Sequence, residues 1–245
     1  MIGMAPGSPS LDFSGRAQML EMMDDPTVDF ETWRACLVDL AKVNRMTLAY
    51  RPTLAFLNRI RDQGLWPSDR PVVILDVGSG YADTLREIGK WARARSLDVR
   101  LQALDMNPWS AKAAERVKGS AGIRFITEDL FHHRNGADII LSSLFTHHLD
   151  DMDVARFLEW QEINARVGWF INDLERHPVS YYGFSVLSRL MLWHRFVVHD
   201  GPVSIRRAFR PEDWTVLLAR AGVHQARIEP WFPFRLCVSR LRGER

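Results

Sequence analysis

Between residues 71 and 172, short apolar runs alternate with stretches of helical texture, and no other feature limits the fold so tightly. Strands are expected at 71–77, 99–104, 123–126, 137–143 and 168–172, and the intervening helices at 83–94, near 110–117, and at 151–165. The runs are continuously apolar rather than alternating, the texture of strands covered on both faces. Strand and helix in alternation at this spacing require right-handed crossovers and a mostly parallel sheet. The texture changes after residue 178. A helical insertion is expected at about 178–204, its helix running over 180–195, and a further helix at 211–221 opens with proline in its first turn. Two apolar stretches, 225–231 and 234–241, are separated by a few residues that include Pro233, and they predict an antiparallel hairpin. These additions bring the expected sheet to seven strands.

Upstream, residues 15–62 read as helical. Leu37, Leu40, Val43 and, a turn later, Leu48 recur at helical spacing, and Asp29 or Thr32 is placed to cap the second helix. A Gly- and Pro-bearing loop at 64–71 closes this preamble. The expected division is therefore a helical cap or lid at 1–69 and the sheet-bearing domain at 70–245.

Composition sets the outer limits. A chain of 245 residues and 28.3 kDa suits one large α/β domain with a small appendage. A formal charge of only +2 gives no reason to expect a polyanionic partner, so neither a nucleic acid nor a membrane surface is expected. Arg235, Arg240, Arg242 and Arg245 cluster near the C-terminus and read as a solvated, frayed tail. Cys36 and Cys237 lie far apart in apolar surroundings, outside any metal-ligand spacing, which points to a reducing compartment. Residues 1–10 lack the basic start and apolar core of a secretory signal, and no run is long enough to cross a bilayer. The expectation is a cytoplasmic protein, monomer or homodimer, with a small-molecule partner.

The stretch Val73-Ile-Leu-Asp-Val-Gly-Ser-Gly80 carries the chemistry. A buried strand delivers Asp76 to its C-terminal end, where open α/β sheets bind ligands. Gly78 and Gly80 let the backbone turn sharply and approach a ligand closely. Dinucleotide-binding turns place glycine or alanine three residues beyond the second glycine, so that pyrophosphate can meet the helix N-terminus. Here that position is Asp83, whose carboxylate repels phosphate and suits a cationic sulfonium and an amino-acid tail. The Gly-Lys-Ser/Thr of a phosphate-binding loop is missing as well.

Four segments in order resemble the motifs of class I S-adenosylmethionine (SAM) dependent methyltransferases, and they cover roughly residues 70–175. They are Leu75-Asp-Val-Gly-Ser-Gly80, Leu104-Asp-Met-Asn107, Ile126-Thr-Glu-Asp-Leu130 and Ile140-Leu-Ser-Ser-Leu-Phe-Thr-His-His-Leu149. The resemblance implies a Rossmann-like α/β fold, with SAM as cofactor and S-adenosylhomocysteine (SAH) as product. It also implies that Asp76, Gly78, Ser79 and Gly80 line the methionine moiety. Asp105 would take the ribose hydroxyls, Met106 would lie against the adenine, and Asp129 and Leu130 would meet the adenine edge. Ser142 would face the methionine end. One departure is Ala82, where the family pattern has a third glycine.

The segment after the fourth strand narrows the acceptor. Relatives that methylate nucleic-acid amino groups usually carry (Asp/Asn)-Pro-Pro-aromatic there, whereas this chain has Ser142-Ser-Leu-Phe145. Metal-dependent catechol-type relatives use acids near this position, and serines are poor ligands for hard cations, so no metal is expected. Ser-Leu-Phe-Thr-His-His-Leu149 is instead similar to small-molecule methyltransferases acting on quinone precursors and phenolic natural products. Transfer to a hydroxyl gains from a base, and histidine titrates in the right range. His177, in the irregular polar segment after the fifth strand, is one candidate, and His147 and His148 are the others. Arg176 is placed to neutralise a phenolate or carboxylate, or to form a surface ion pair. Asn44 and Arg45 would close over the cofactor. The leading expectation is O-methylation of an aromatic or polyketide-like hydroxyl compound. C-methylation of a quinone-like precursor, RNA methylation and an inactive SAM-binding subunit remain alternatives.

Overall fold

The computed structural model describes residues 11–243. Residues 1–10 and Arg245, on which two of the expectations above fall, lie outside that range. Seven strands form one sheet in the order β3-β2-β1-β4-β5-β7-β6. They are β1 (Val72–Val77), β2 (Val99–Asp105), β3 (Ile123–Thr127), β4 (Ala137–Ser143), β5 (Ala165–Leu174), β6 (Arg227–Trp231) and β7 (Arg235–Leu241). The first five pair in parallel, while β7 runs antiparallel to both β5 and β6. The expected fold class is thus observed, hairpin included.

The helices are α1 (Phe30–Met46), α2 (Tyr50–Asp62), α3 (Asp83–Arg93), α4 (Pro108–Ala114), α5 (Asp151–Asn164), α6 (Pro178–Leu190), α7 (Arg195–Arg207) and α8 (Pro211–Arg220). Each face of the sheet carries its own apolar layer. On one face, Phe157, Trp169, Trp214 and Val238 join α5 and α8 to the strands. On the other, Phe56, Leu57 and Ile60 of α2 meet Leu85 and Ile88 of α3 over Ile74 and Phe170. Phe56 stacks on Phe170 with ring centroids 4.8 Å apart, so α2 covers β5 directly. Burying strands from both sides explains their continuous apolar runs.

Two departures from expectation have local causes. Residues 11–29 are irregular except for a short 3-10 turn at Met22–Asp24, because their backbone is held from outside rather than by its own helix. Ala17 donates to the Arg206 carbonyl, and Met22 and Met23 donate to the Asp200 carboxylate. Regular helix begins at Phe30, where the Asp29 side chain accepts from the Thr32 N–H. The helix expected over 180–195 is two helices. Leu192 adopts a left-handed φ of 53° in the break, and the His194 side chain accepts from the Phe196 N–H to start α7. The apolar texture of the break disguises it in sequence. Of the C-terminal arginines, Arg235 is no part of a frayed tail: it opens β7 and is 3% exposed.

Candidate functional site

The strand tips of β1 and β2 are tied together by the glycine turn. Gly78 and Ser79 both donate to the Leu104 carbonyl, and Gly80 donates to Asp105 Oδ2 at 2.8 Å. Asp105 Oδ1 accepts from the Asn107 N–H, also at 2.8 Å. Gly78 and Gly80 have φ of 67° and 48°, and Ala82, in place of the family's third glycine, adopts 53°. The two glycines have different reasons to be glycine. A Cβ on Gly78 would sit 2.3 Å from Phe145, whereas one on Gly80 would meet nothing within 4 Å. Gly78 therefore serves close packing, and Gly80 leaves the turn open to a ligand.

Asp76 is buried, and its Oδ1 has no hydrogen-bond partner. Burial, with further pressure from Asp83 and Asp105, holds its pKa well above the usual carboxylate value. Burial also raises Asp105, although the Asn107 and Gly80 N–H groups oppose it. Asp83 accepts from Tyr50 Oη at 2.7 Å and Asn44 Nδ2 at 3.0 Å, which fastens α1 and α2 to the head of α3. Three carboxylates converging here make a floor that repels phosphate and attracts a cation.

A cavity of about 1340 Å³ opens above this floor. Ligand pockets commonly occupy roughly 300–1,000 Å³, so there is space for two ligands side by side. Asp76, Gly78, Ser79, Gly80 and Asp105 all border it. So do Met106, which is largely exposed, and Leu130. Asp129 borders it too, with its Oδ1 accepting from the Phe131 N–H. Ser142 does not: it is buried with its hydroxyl unpartnered, and the neighbouring Ser143, Leu144 and Phe145 reach the cavity instead. Asn44 lies on the cavity wall, while Arg45 pairs outside it with Glu87 at 3.4 Å.

The proposed bases separate. His147 and His148, in a 3-10 turn at Thr146–His148, border the cavity with ring centroids 4.3 Å apart. His147 Nδ1 lies 2.7 Å from Asp173 Oδ1. Burial alone would raise Asp173, but His147, Thr146 Oγ1 and the Leu174 N–H outweigh it and hold the carboxylate below its usual range. An ionised Asp173 accepts only, so the His147 Nδ1–H donates to it and fixes the orientation of the ring. The ring's Nε2 is 3.6 Å from Glu21 Oε1. His177 lies elsewhere: it caps α6 by accepting from the Val179 N–H, and it stacks on Phe234. Arg176 is buried away from the cavity, donating to the carbonyls of Phe13, Ser14 and Ala208 and pairing with Asp213 at 2.9 Å.

Several site residues gave no sequence signal. Glu21 sits in the irregular N-terminal segment and is 4% exposed; burial raises its pKa. Arg207 lies 3.8 Å from it and 3.5 Å from Asp24. Asp173 had a legible hint, a polar pair ending an apolar strand. Among the described residues, Glu21, His147 and His148 form the one group that could share a metal ion, their ligand atoms lying within 4.8 Å of one another. The Arg207 guanidinium already balances the carboxylates there. Cys36 and Cys237 are both free and buried. Among the described residues no helix is long and apolar enough to cross a membrane.

No family model and no curated protein matches the chain. Solved structures do resemble it. The magnesium protoporphyrin IX methyltransferase from Synechocystis PCC 6803 with bound SAH superposes with a TM-score of 0.52 at 14% identity, covering 89% of this chain and 90% of that one. Human N-acetylserotonin methyltransferase in complex with SAM gives 0.50 at 15% identity, over 70% of this chain and 48% of its own. A pericyclic reaction enzyme gives 0.54 at 14% identity, over 75% of this chain and 46% of its own. Identities this low establish the shared Rossmann-like methyltransferase fold and leave the chemistry to the site.

Proposed function

We propose that this chain is a SAM-dependent methyltransferase that O-methylates a small aromatic or polyketide-like hydroxyl compound. The observation that carries the reading is the orphaned, buried Asp76 Oδ1 at an open glycine turn, in a floor of three acids where a pyrophosphate would be repelled. That two fold neighbours hold SAH or SAM in their structures supports it.

In this reading, Asp76 and the Gly78–Gly80 turn hold the amino-acid end of the cofactor. Asp105, Met106, Asp129 and Leu130 hold the nucleoside. SAM supplies an electrophilic methyl group with a good leaving group already attached. The task left to the chain is to align the acceptor and exclude water. Apolar side chains on the cavity wall, among them Leu37 and Leu40 of α1, Phe184 and Leu187 of α6, and Val197 and Ile205 of α7, suit a flat apolar acceptor. His147 would act as the base, its Nε2 taking the proton of the acceptor hydroxyl; bound SAM would supply displacement at its methyl carbon, with the carbon–sulfur bond broken and SAH as the leaving group. Asp173 positions the ring throughout.

Calorimetric titration with SAH tests the cofactor half. Saturable binding is expected, severely weakened in Asp105→Ala; no binding to the unaltered chain rejects the proposal. Labelled methyl transfer to a panel of phenols tests the rest. His147→Ala is expected to slow transfer by about 100-fold or more while leaving SAH affinity intact.

A further inference from the structure

Two buried ionic atoms on the wall of the same cavity lack a protein partner: Asp76 Oδ1 and Arg235 Nη1. Arg235 starts β7 directly after the Pro233–Phe234 turn and stands beside Leu174 at the tip of β5, on the side of the sheet where ligands bind. Among the described residues its side chain makes a single long hydrogen bond, Nη2 to Asn44 Oδ1 at 3.5 Å. No carboxylate of the described residues forms an ion pair with it. A guanidinium taken out of water keeps its charge and its donors, so leaving them unused is costly unless an anion completes the site. Burial lowers the Arg235 pKa, with Asp173 first and Asp83 later among the groups that pull it back. Asp83 is also a charged neighbour of Asp76 and accepts from Asn44. The orphaned acid and the orphaned guanidinium thus share Asp83 as a charged neighbour, and Asn44 bonds to both Asp83 and Arg235.

We propose that Arg235 and Asn44 bind the carboxylate of an α-amino-acid tail whose ammonium group is accepted by Asp76. This assignment rests on the SAM reading above and adds to it the residues that recognise the tail as a zwitterion. A cavity with carboxylates alone would attract any cation. Opposed charges that share Asp83 as a neighbour suit a ligand whose ammonium and carboxylate are attached to one carbon. The Arg235 fork suits a carboxylate, which it can bind through two parallel N–H groups.

The test compares SAH with 5′-methylthioadenosine, which has the same nucleoside and sulfur but no amino-acid tail. Both are titrated calorimetrically into the full chain and into its Arg235→Met, Arg235→Lys and Asn44→Ala variants. Arg235→Met is expected to weaken SAH about 10- to 100-fold, the size of a charged hydrogen-bond loss, without moving methylthioadenosine. Arg235→Lys should recover part of the loss, and Asn44→Ala should show a smaller, equally selective one. Unchanged SAH affinity in Arg235→Met overturns the proposal, as it would if the guanidinium served an acceptor's carboxylate. Equal loss of both ligands overturns it too, since it would reflect a damaged fold. Failure of the unaltered chain to bind either ligand instead rejects the SAM reading itself.

Discussion

Asp76 shows how a single residue can be set against the stability of its own fold. Its carboxyl is buried without a partner on one oxygen, and burial together with Asp83 and Asp105 lifts its pKa above 3.8. An acid whose folded pKa exceeds its unfolded one contributes stability below the unfolded value and loses it as pH rises through the folded value. Asparagine has no such loss. Asp76→Asn should therefore melt higher than the unaltered chain when ligand-free, with a gap that widens as pH rises above the carboxylate range. The same variant should bind SAH poorly. Thermal melts across pH check the first half and calorimetry the second. Equal melting at every pH would mean that Asp76 carries no strain of this kind. Asp173 has the opposite sign: its partners depress its pKa, so its contribution is present above 3.8 and fades only as pH falls below. One acid is poised for a ligand and the other is already satisfied by the chain.

At the scale of elements, the turn between β1 and α3 makes the same division between packing and function. Gly78→Ala must place a Cβ at φ 67° and 2.3 Å from Phe145, an aromatic ring wedged against Phe157. Backbone strain and overpacking together predict a loss of about 2–4 kcal/mol by chemical denaturation. Gly80→Ala meets no protein atom, so about 1 kcal/mol of backbone strain is expected, as Ala82 already tolerates at φ 53°. Its methyl group would instead intrude on the ligand and weaken SAH. Should Gly78→Ala prove as mild as Gly80→Ala, the Phe145 contact is looser than described. Elements of this kind were legible because they are local: strand, turn and capped helix are written within a few residues, as in Ala137–Ser143. Long-range partners were not. Nothing near Glu21 announces that an irregular segment will bring it to His147, and nothing near Arg235 distinguishes a buried cation from the solvated Arg240 and Arg242 expected beside it. His177 was misleading for a related reason. A polar loop after a buried strand is where catalytic groups gather, but here the ring is consumed in starting α6.

The N-terminal segment and the sheet domain are joined by two arginines. Arg16 donates to the carbonyls of Arg207 and Leu149, pairs with Asp151 at 2.7 Å and lies over the Phe209 ring. Arg176, from the end of β5, reaches back to Phe13 and Ser14 while also holding Ala208 and Asp213. Between them they tie the segment that carries Glu21 and Asp24 to the turns after β4 and β5 and to the end of α7, so one wall of the cavity depends on residues that do not line it. Arg176 is nearly fully buried, and removing it would take a donor from three carbonyls and a counter-ion from Asp213, which keeps its bond from the Arg210 N–H. Losing the hydrogen bonds of one buried guanidinium costs about 3–5 kcal/mol together, which in a chain of this size lowers Tm by about 10 °C. Arg176→Met should show that fall in a thermal melt yet retain most of its SAH affinity, because the glycine turn, Asp105 and Asp129 belong to strands the substitution does not touch. Methyl transfer should decline more than SAH binding, since the loosened segment carries the carboxylates that face His147 and His148. Loss of SAH binding in step with transfer would instead make the strap part of the cofactor site, and an unchanged Tm would mean that Arg16 and the Ala17 backbone hold it alone.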